Sequence, residues 1–101
     1  AMVEVNCETD FVARTDEFKE LAHNIAMQVA AMNPVYISEE DIPADLPKEE
    51  REVLDVNSVC LLNQAYIRDP SLTIKDIIVE NVAKMGENIK VSRIARFDLS
   101  E

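Results

Sequence analysis

An α+β fold, in which three strands form a layer packed against helices, is what this 101-residue sequence predicts. Three observations carry that expectation. Runs near both ends alternate apolar and polar residues with the period of two that marks a half-buried strand. Two longer segments between them repeat apolar residues at the three-and-four spacing of a helix with one buried face. The single glycine, Gly86, falls between the second of these segments and the last strand-like run, where a helix needs a left-handed closing residue.

The first strand runs from Val3, with Val5 and Cys7 on one face and Glu4, Asn6 and Glu8 on the other. The first long helix spans Asp16 to Met32. Phe18, Leu21, Ala22, Ile25, Ala26, Val29 and Met32 form its stripe, Thr15 its N-cap, and Asp16 and Glu17 complement its dipole. Asn33-Pro34 ends it, because proline disfavours helical geometry in the preceding residue. Val35-Tyr36-Ile37 reads as a short strand, and Ser38-Glu39-Glu40-Asp41 as a capping box that opens only a turn before Pro43. A short charged helix is expected over Asp45 to Val56, with Pro47 in its first turn. Val59-Cys60-Leu61-Leu62 reads as a helix end, Gln64 to Ile67 as extended chain, and Asp69-Pro70-Ser71 as a turn. Thr73 caps a second helix with Ile74, Ile77, Ile78, Val82 and Met85 on one face. The last strand covers Ile89 to Leu99. Ile89, Val91, Ala95 and Phe97 share a face broken by Arg93, and Ile94 is the apolar exception on the other. That mixed outer face points to partial cover, such as a second copy of the sheet.

Composition narrows the functions. Apolar content of 48% fits one globular domain, and no apolar run approaches the ~20 residues of a membrane helix. With no signal-peptide pattern either, the expectation is a soluble, non-secreted, cytoplasmic protein without a membrane partner. Ala1-Met2 reads as a remnant dipeptide, and a chain that opens directly in a strand reads as an excised domain. Twenty acidic residues against ten basic ones argue against a nucleic-acid partner. The charge is uneven. Glu39 to Asp55 holds eight acidic residues against Lys48 and Arg51, a solvated acidic connector, whereas Lys84 to Arg96 is basic. The basic strand face reads as solvated, the sharper alternative being contact with an acidic partner.

Cys7 and Cys60 are too few for a disulfide framework, and with the single His23 too few for a structural zinc site. Both cysteines read as small buried apolar residues, and His23 as solvent-facing. A Cys7–His23 thiol enzyme would need an activating environment and an orienting third group, and the sequence supplies neither. No cofactor or metal site is expected.

Beyond the first strand lies Thr9-Asp10-Phe11-Val12, a carboxylate and a large aromatic side by side. Such a pair suits insertion into a partner, the ring filling an apolar slot while the carboxylate perturbs a charge or metal site. The competing reading is a core phenylalanine beside a helix-capping aspartate.

The surrounding VEVNCETDFVAR (Val3 to Arg14) resembles the signature of the core domain of translation elongation factor Ts. Three more segments match in the family's order: AMNPVYISEEDIP (Ala31 to Pro43), VCLLNQAYIRDP (Val59 to Pro70) and KMGENIKVSRIARFDL (Lys84 to Leu99). The resemblance implies a three-stranded antiparallel sheet packed against helices. It implies one core domain over residues 1–101, with 39–58 a shortened acidic connector inside it. It also implies a non-enzymatic guanine-nucleotide exchange factor that binds elongation factor Tu, with a homodimer through the sheet by analogy with single-subdomain members. Carried onto this sequence, Asp10 and Phe11 intrude near the magnesium side of the partner's nucleotide site, and Thr9 and Val12 hold them. Two departures stand out. The family's N-terminal helical domain has no trace here, and several tens of helical residues that usually precede the VCLL segment are missing. The alternative is therefore a related interaction domain that binds its partner without effective exchange.

Overall fold

The computed structural model describes residues 1–96. Its elements run β1 (Met2–Cys7), α1 (Asp10–Ala13), α2 (Asp16–Met32), a 3-10 turn (Glu39–Asp41), α3 (Lys48–Val53) and α4 (Val56–Val59). A second 3-10 turn (Leu61–Asn63), β2 (Ala65–Tyr66), β3 (Asp69–Thr73), α5 (Ile74–Met85) and β4 (Ile89–Ala95) complete them. The class is α+β, but the expected three-stranded sheet is not formed. β1 pairs with β4 and β2 with β3, giving two antiparallel two-stranded sheets.

The reason lies at Val35-Tyr36-Ile37. Pro34 before it has no N–H, and Ser38 after it opens the 3-10 turn, so three residues remain. Their backbone serves a local purpose. The Val35 and Tyr36 amides both donate to the Val59 carbonyl (2.9 Å each), while the Tyr36 and Ile37 carbonyls accept from Leu61 (2.8 Å) and Leu62 (3.0 Å). Only a single parallel bridge, Tyr36 to Cys60, results. The connector differs as well. The helix expected over Asp45 to Val56 is split, because the Asp55 carboxylate caps a new turn by accepting from the Asn57 amide (3.1 Å) and the Ser58 hydroxyl (2.9 Å). Chain reversal falls at Ile67-Arg68 rather than at Asp69-Pro70-Ser71. The Asp69 side chain does accept from the Ser71 amide (3.2 Å) and hydroxyl (2.6 Å), but within the irregular stretch of β3, where Pro70 removes no ladder bond.

The two long helices form as the spacing predicts. Thr15 caps α2 by accepting from the Phe18 amide (3.2 Å), and left-handed Asn33 closes it. Thr73 caps α5 by accepting from the Asp76 amide (3.1 Å), and the Asp76 carboxylate accepts from the Thr73 amide in return (3.0 Å). Gly86, at φ 72°, closes α5 and donates to the Val82 carbonyl (2.9 Å). Phe18, Leu21, Ile25 and Val29 of α2 meet Ile74, Ile77 and Ile78 of α5 in one core with Ile89 and Val91 of β4, whereas Met32 is exposed.

A bulge in β4 accounts for the mixed pattern of the last strand. Val3 stands opposite Ile94 and Glu4 opposite Arg93, but Val5 stands opposite Val91, so Ser92 is the extra residue. Beyond it the alternation changes phase. Ile89, Val91 and Ile94 therefore share the inner face with Val3, Val5 and Cys7. Glu4, Asn6, Lys90 and Arg93 lie outside, with Arg93 donating to Glu4 across the ladder (2.7 Å). That guanidinium holds the Glu4 carboxyl below the usual range, assisted by the Asn6 amide. The pair thus supports the fold at neutral pH and loses its effect as acid protonates Glu4, a small term for exposed groups. Ile94 packs against the core of its own chain, partly buried on the inner face, so its place in the strand needs no second copy to explain it. Phe97 and the remainder of the expected strand lie outside the described residues.

Gln28 and Gln64 are the fully buried polar side chains among the described residues. The Gln28 amide donates to Gln64 Oε1 (3.1 Å) and the Ala65 carbonyl (3.0 Å), and its oxygen accepts from the Ile67 amide (2.9 Å). Gln64 in turn donates to the Ser58 carbonyl (2.7 Å). Replacing Gln28 with Ala opens a cavity and strands these partners, so urea denaturation should show a loss of about 2–4 kcal/mol. A loss below about 1 kcal/mol would mean that water replaces the amide there.

Candidate functional site

The segment between β1 and α2 is a single helical turn held at both ends. Thr9, in extended geometry, is its N-cap, with Oγ1 accepting from the Val12 amide (3.4 Å). Behind it, Thr15 Oγ1 donates to the Val12 carbonyl (2.7 Å) while also capping α2. The Cys7 thiol donates to the Thr9 carbonyl (3.1 Å). Across the ladder end, the Glu87 carboxylate takes both donors of Thr9: Oε1 accepts from the amide (3.0 Å) and Oε2 from the hydroxyl (2.6 Å).

The four sequence-marked residues therefore divide. Val12 is 5% exposed and belongs to the core, and Thr9 is engaged by Glu87. Asp10 is exposed, and Phe11 is 82% exposed with its ring outside the core. The reading of Phe11 as a core residue does not hold, and the cap is Thr9 rather than Asp10. Glu87 was not marked by the sequence as part of this group. Its only local signal is its place immediately after the helix-closing Gly86, and that does not announce a contact 78 residues away.

The thiol arrangement does not assemble. His23 is exposed on α2, Cys7 is half-buried against Thr9, and Cys60 is fully buried. Burial pushes the Cys60 thiol up, and Glu39 and Asp41 push it further, so it stays protonated at neutral pH. No cluster of three His, Cys, Asp or Glu side chains suited to a metal ion occurs among the described residues. An open groove of about 980 Å³ between α5, β4 and the Glu39–Asp41 turn shares no residue with the Thr9–Val12 turn. No helix among the described residues is long and apolar enough to cross a membrane.

Comparison with known proteins places these features in a family context. The elongation factor TS family model matches residues 19–58, a stretch that begins beyond the turn. Curated relatives align across it. An elongation factor Ts of Carboxydothermus hydrogenoformans is 43% identical over 99% of this chain and 57% of its own length. Those of Thermotoga petrophila and Thermoanaerobacter sp. are each 45% identical over 99% of this chain and 61% of their own. The chain thus spans roughly three fifths of the length of these relatives. The alignments, over 122 to 124 positions, are longer than the chain itself, so the relatives carry residues inside the aligned span that this chain lacks.

Two measurements follow from the geometry. Phe11→Ala should change stability by no more than about 0.5 kcal/mol, as for an exposed side chain, whereas Val12→Ala should cost about 1–3 kcal/mol in denaturant unfolding. Equal losses would mean that the ring packs on the domain in solution. Alkylation by iodoacetamide at pH 7 should leave Cys60 unmodified in the folded chain and reach it only on unfolding.

Proposed function

Because this chain belongs to the elongation factor Ts family, we propose that it is the core portion of such a factor and acts in the cytoplasm on elongation factor Tu, promoting release of GDP. The observation that carries this reading is the exposure of Phe11, 82%, on a turn whose backbone is anchored at both ends. An exposed phenyl is a reserve of burial worth about 2 kcal/mol when a partner covers it. A turn already fixed in place loses little conformational freedom on docking, which makes more of that burial available for affinity.

Exchange is a linkage effect. A factor that binds the nucleotide-free partner more tightly than the nucleotide-bound one lowers nucleotide affinity by the same ratio. Phe11 would wedge against the partner segment that holds the magnesium ion, and Asp10, exposed beside it, would bring negative charge near that ion. Loosening the magnesium removes a bridge between protein and diphosphate. Thr9 and Val12 would serve by keeping the turn rigid. This chain forms and breaks no covalent bond in that sequence, so its role is not that of an enzyme in the usual sense.

Release of labelled GDP from elongation factor Tu, with and without the full chain, tests the proposal. Acceleration is expected, and Phe11→Ala should lower it by about tenfold or more, the equivalent of one lost aromatic contact. Binding with release left at the spontaneous rate would favour an interaction domain that recognises without exchanging. Acceleration unchanged in Phe11→Ala would remove the wedge from the mechanism.

A further inference from the structure

The β1–β4 register explains why Glu87 meets Thr9. Past the bulge, Cys7 stands opposite Ile89. Continued two residues outward, the same register lays Thr9 opposite Glu87. Without the extra residue at Ser92, Asn88 would stand there instead, and its shorter amide offers one acceptor oxygen where the carboxylate offers two. Asn6 donates to the Ser92 hydroxyl (2.6 Å), which ties the bulged residue to β1. Left-handed Gly86 turns the chain out of α5 immediately before Glu87, so helix end, bulge and ladder converge on one carboxylate.

From this we infer that Glu87 is a positioning residue for the exposed turn. It fixes the Thr9 backbone and hydroxyl together, and through Thr9 sets the direction in which Phe11 projects. The inference rests on the proposed exchange role for its functional consequence, but not for its structural one. Two bonds to one carboxylate resist rotation about the Thr9 backbone as a single bond does not, and charged acceptors make them stronger than neutral ones. Thr9 Oγ1 also accepts from the Val12 amide, so loosening Thr9 loosens the N-cap of the turn carrying Phe11.

The test uses the full chain with Glu87→Ala and Glu87→Gln, read by amide hydrogen exchange resolved by NMR. In Glu87→Ala the Thr9, Val12 and Ala13 amides should exchange about tenfold faster or more, while core amides such as Ile25 and Ile78 stay as they were. Glu87→Gln, which keeps one acceptor oxygen for Thr9, should fall between it and the unmodified chain. With elongation factor Tu, Glu87→Ala should lower the saturated rate of GDP release more than it raises the concentration for half-maximal effect. Unchanged amides at the turn, or a uniform loss of protection through α2 and α5, would overturn the inference. So would a saturated rate equal to that of the unmodified chain, if that chain accelerates release. If the unmodified chain does not accelerate release at all, the exchange proposal fails, and the amide pattern alone decides the role of Glu87.

Discussion

The pairing of β1 with β4 is the constraint on which the rest of this structure depends. It joins segments near the two ends of the described chain, and closing a loop of that length costs about 4 kcal/mol in chain entropy. The apolar face of the ladder offsets that cost. Ile89 and Val91 are nearly fully buried, and together they contribute at most about 3–6 kcal/mol. Val3, Val5, Cys7 and Ile94 add partial burial from the same face. None of this works unless the apolar residues of both strands point the same way. The Ser92 bulge makes that possible, since without it Ile94 would face outward whenever Val91 faced inward.

A second constraint lies inside. α2 and α5 bring aliphatic side chains to the core, but between them the stretch around Leu61 to Tyr66 is partly buried as a 3-10 turn and a two-residue strand, whose backbone groups need partners. Gln28 supplies them from within the apolar stripe of α2, joining the β2–β3 hairpin to the helix through Ala65 and Ile67. Gln64 extends the contact to Ser58. A buried polar network with every member satisfied fixes one arrangement more firmly than aliphatic packing alone, which tolerates sliding. Arg51 has a similar part at the surface, donating to the carbonyls of Pro43 (2.8 Å), Ala44 (2.8 Å) and Leu46 (3.2 Å) and so shaping the acidic connector.

What could be read in the sequence divides along the same lines. Local chemistry was legible: α2 with its Thr15 cap and Asn33-Pro34 stop, and α5 with its Thr73 cap and Gly86 closure, need only neighbours within four residues to be specified. Non-local pairing was not. A three-residue apolar run at Val35 looks like a strand until its carbonyls are found serving residues 61 and 62. Arg93-Ile94 looks like broken alternation until the bulge restores the phase. Gln28 looks like a polar residue on a helix until the hairpin beneath it is placed. At the site, the sequence left two readings of Phe11 open, an inserting ring or a core residue, and its exposure removes the second. Glu87 could not be found there, because its contact follows from the register of two strands and from no pattern within either.

The division within the turn also bears on how such a motif can act. An exposed ring contributes almost nothing to folding, since the unfolded chain exposes it equally, so the fold places no demand on Phe11. Thr9 and Val12 are the opposite case: one is bound to Glu87 and one is buried, and both are committed to the domain before any partner arrives. A partner that covers Phe11 therefore disrupts no contact within this chain. In the proposed exchange, most of the free energy of that contact would then bear on the partner's own equilibrium between nucleotide-bound and nucleotide-free states, which only differential affinity for those states can shift. A loose turn would spend part of the same contact on its own ordering. In the proposed exchange role, rigidity at Thr9 and Val12 is thus part of what would let a single aromatic side chain act as a wedge.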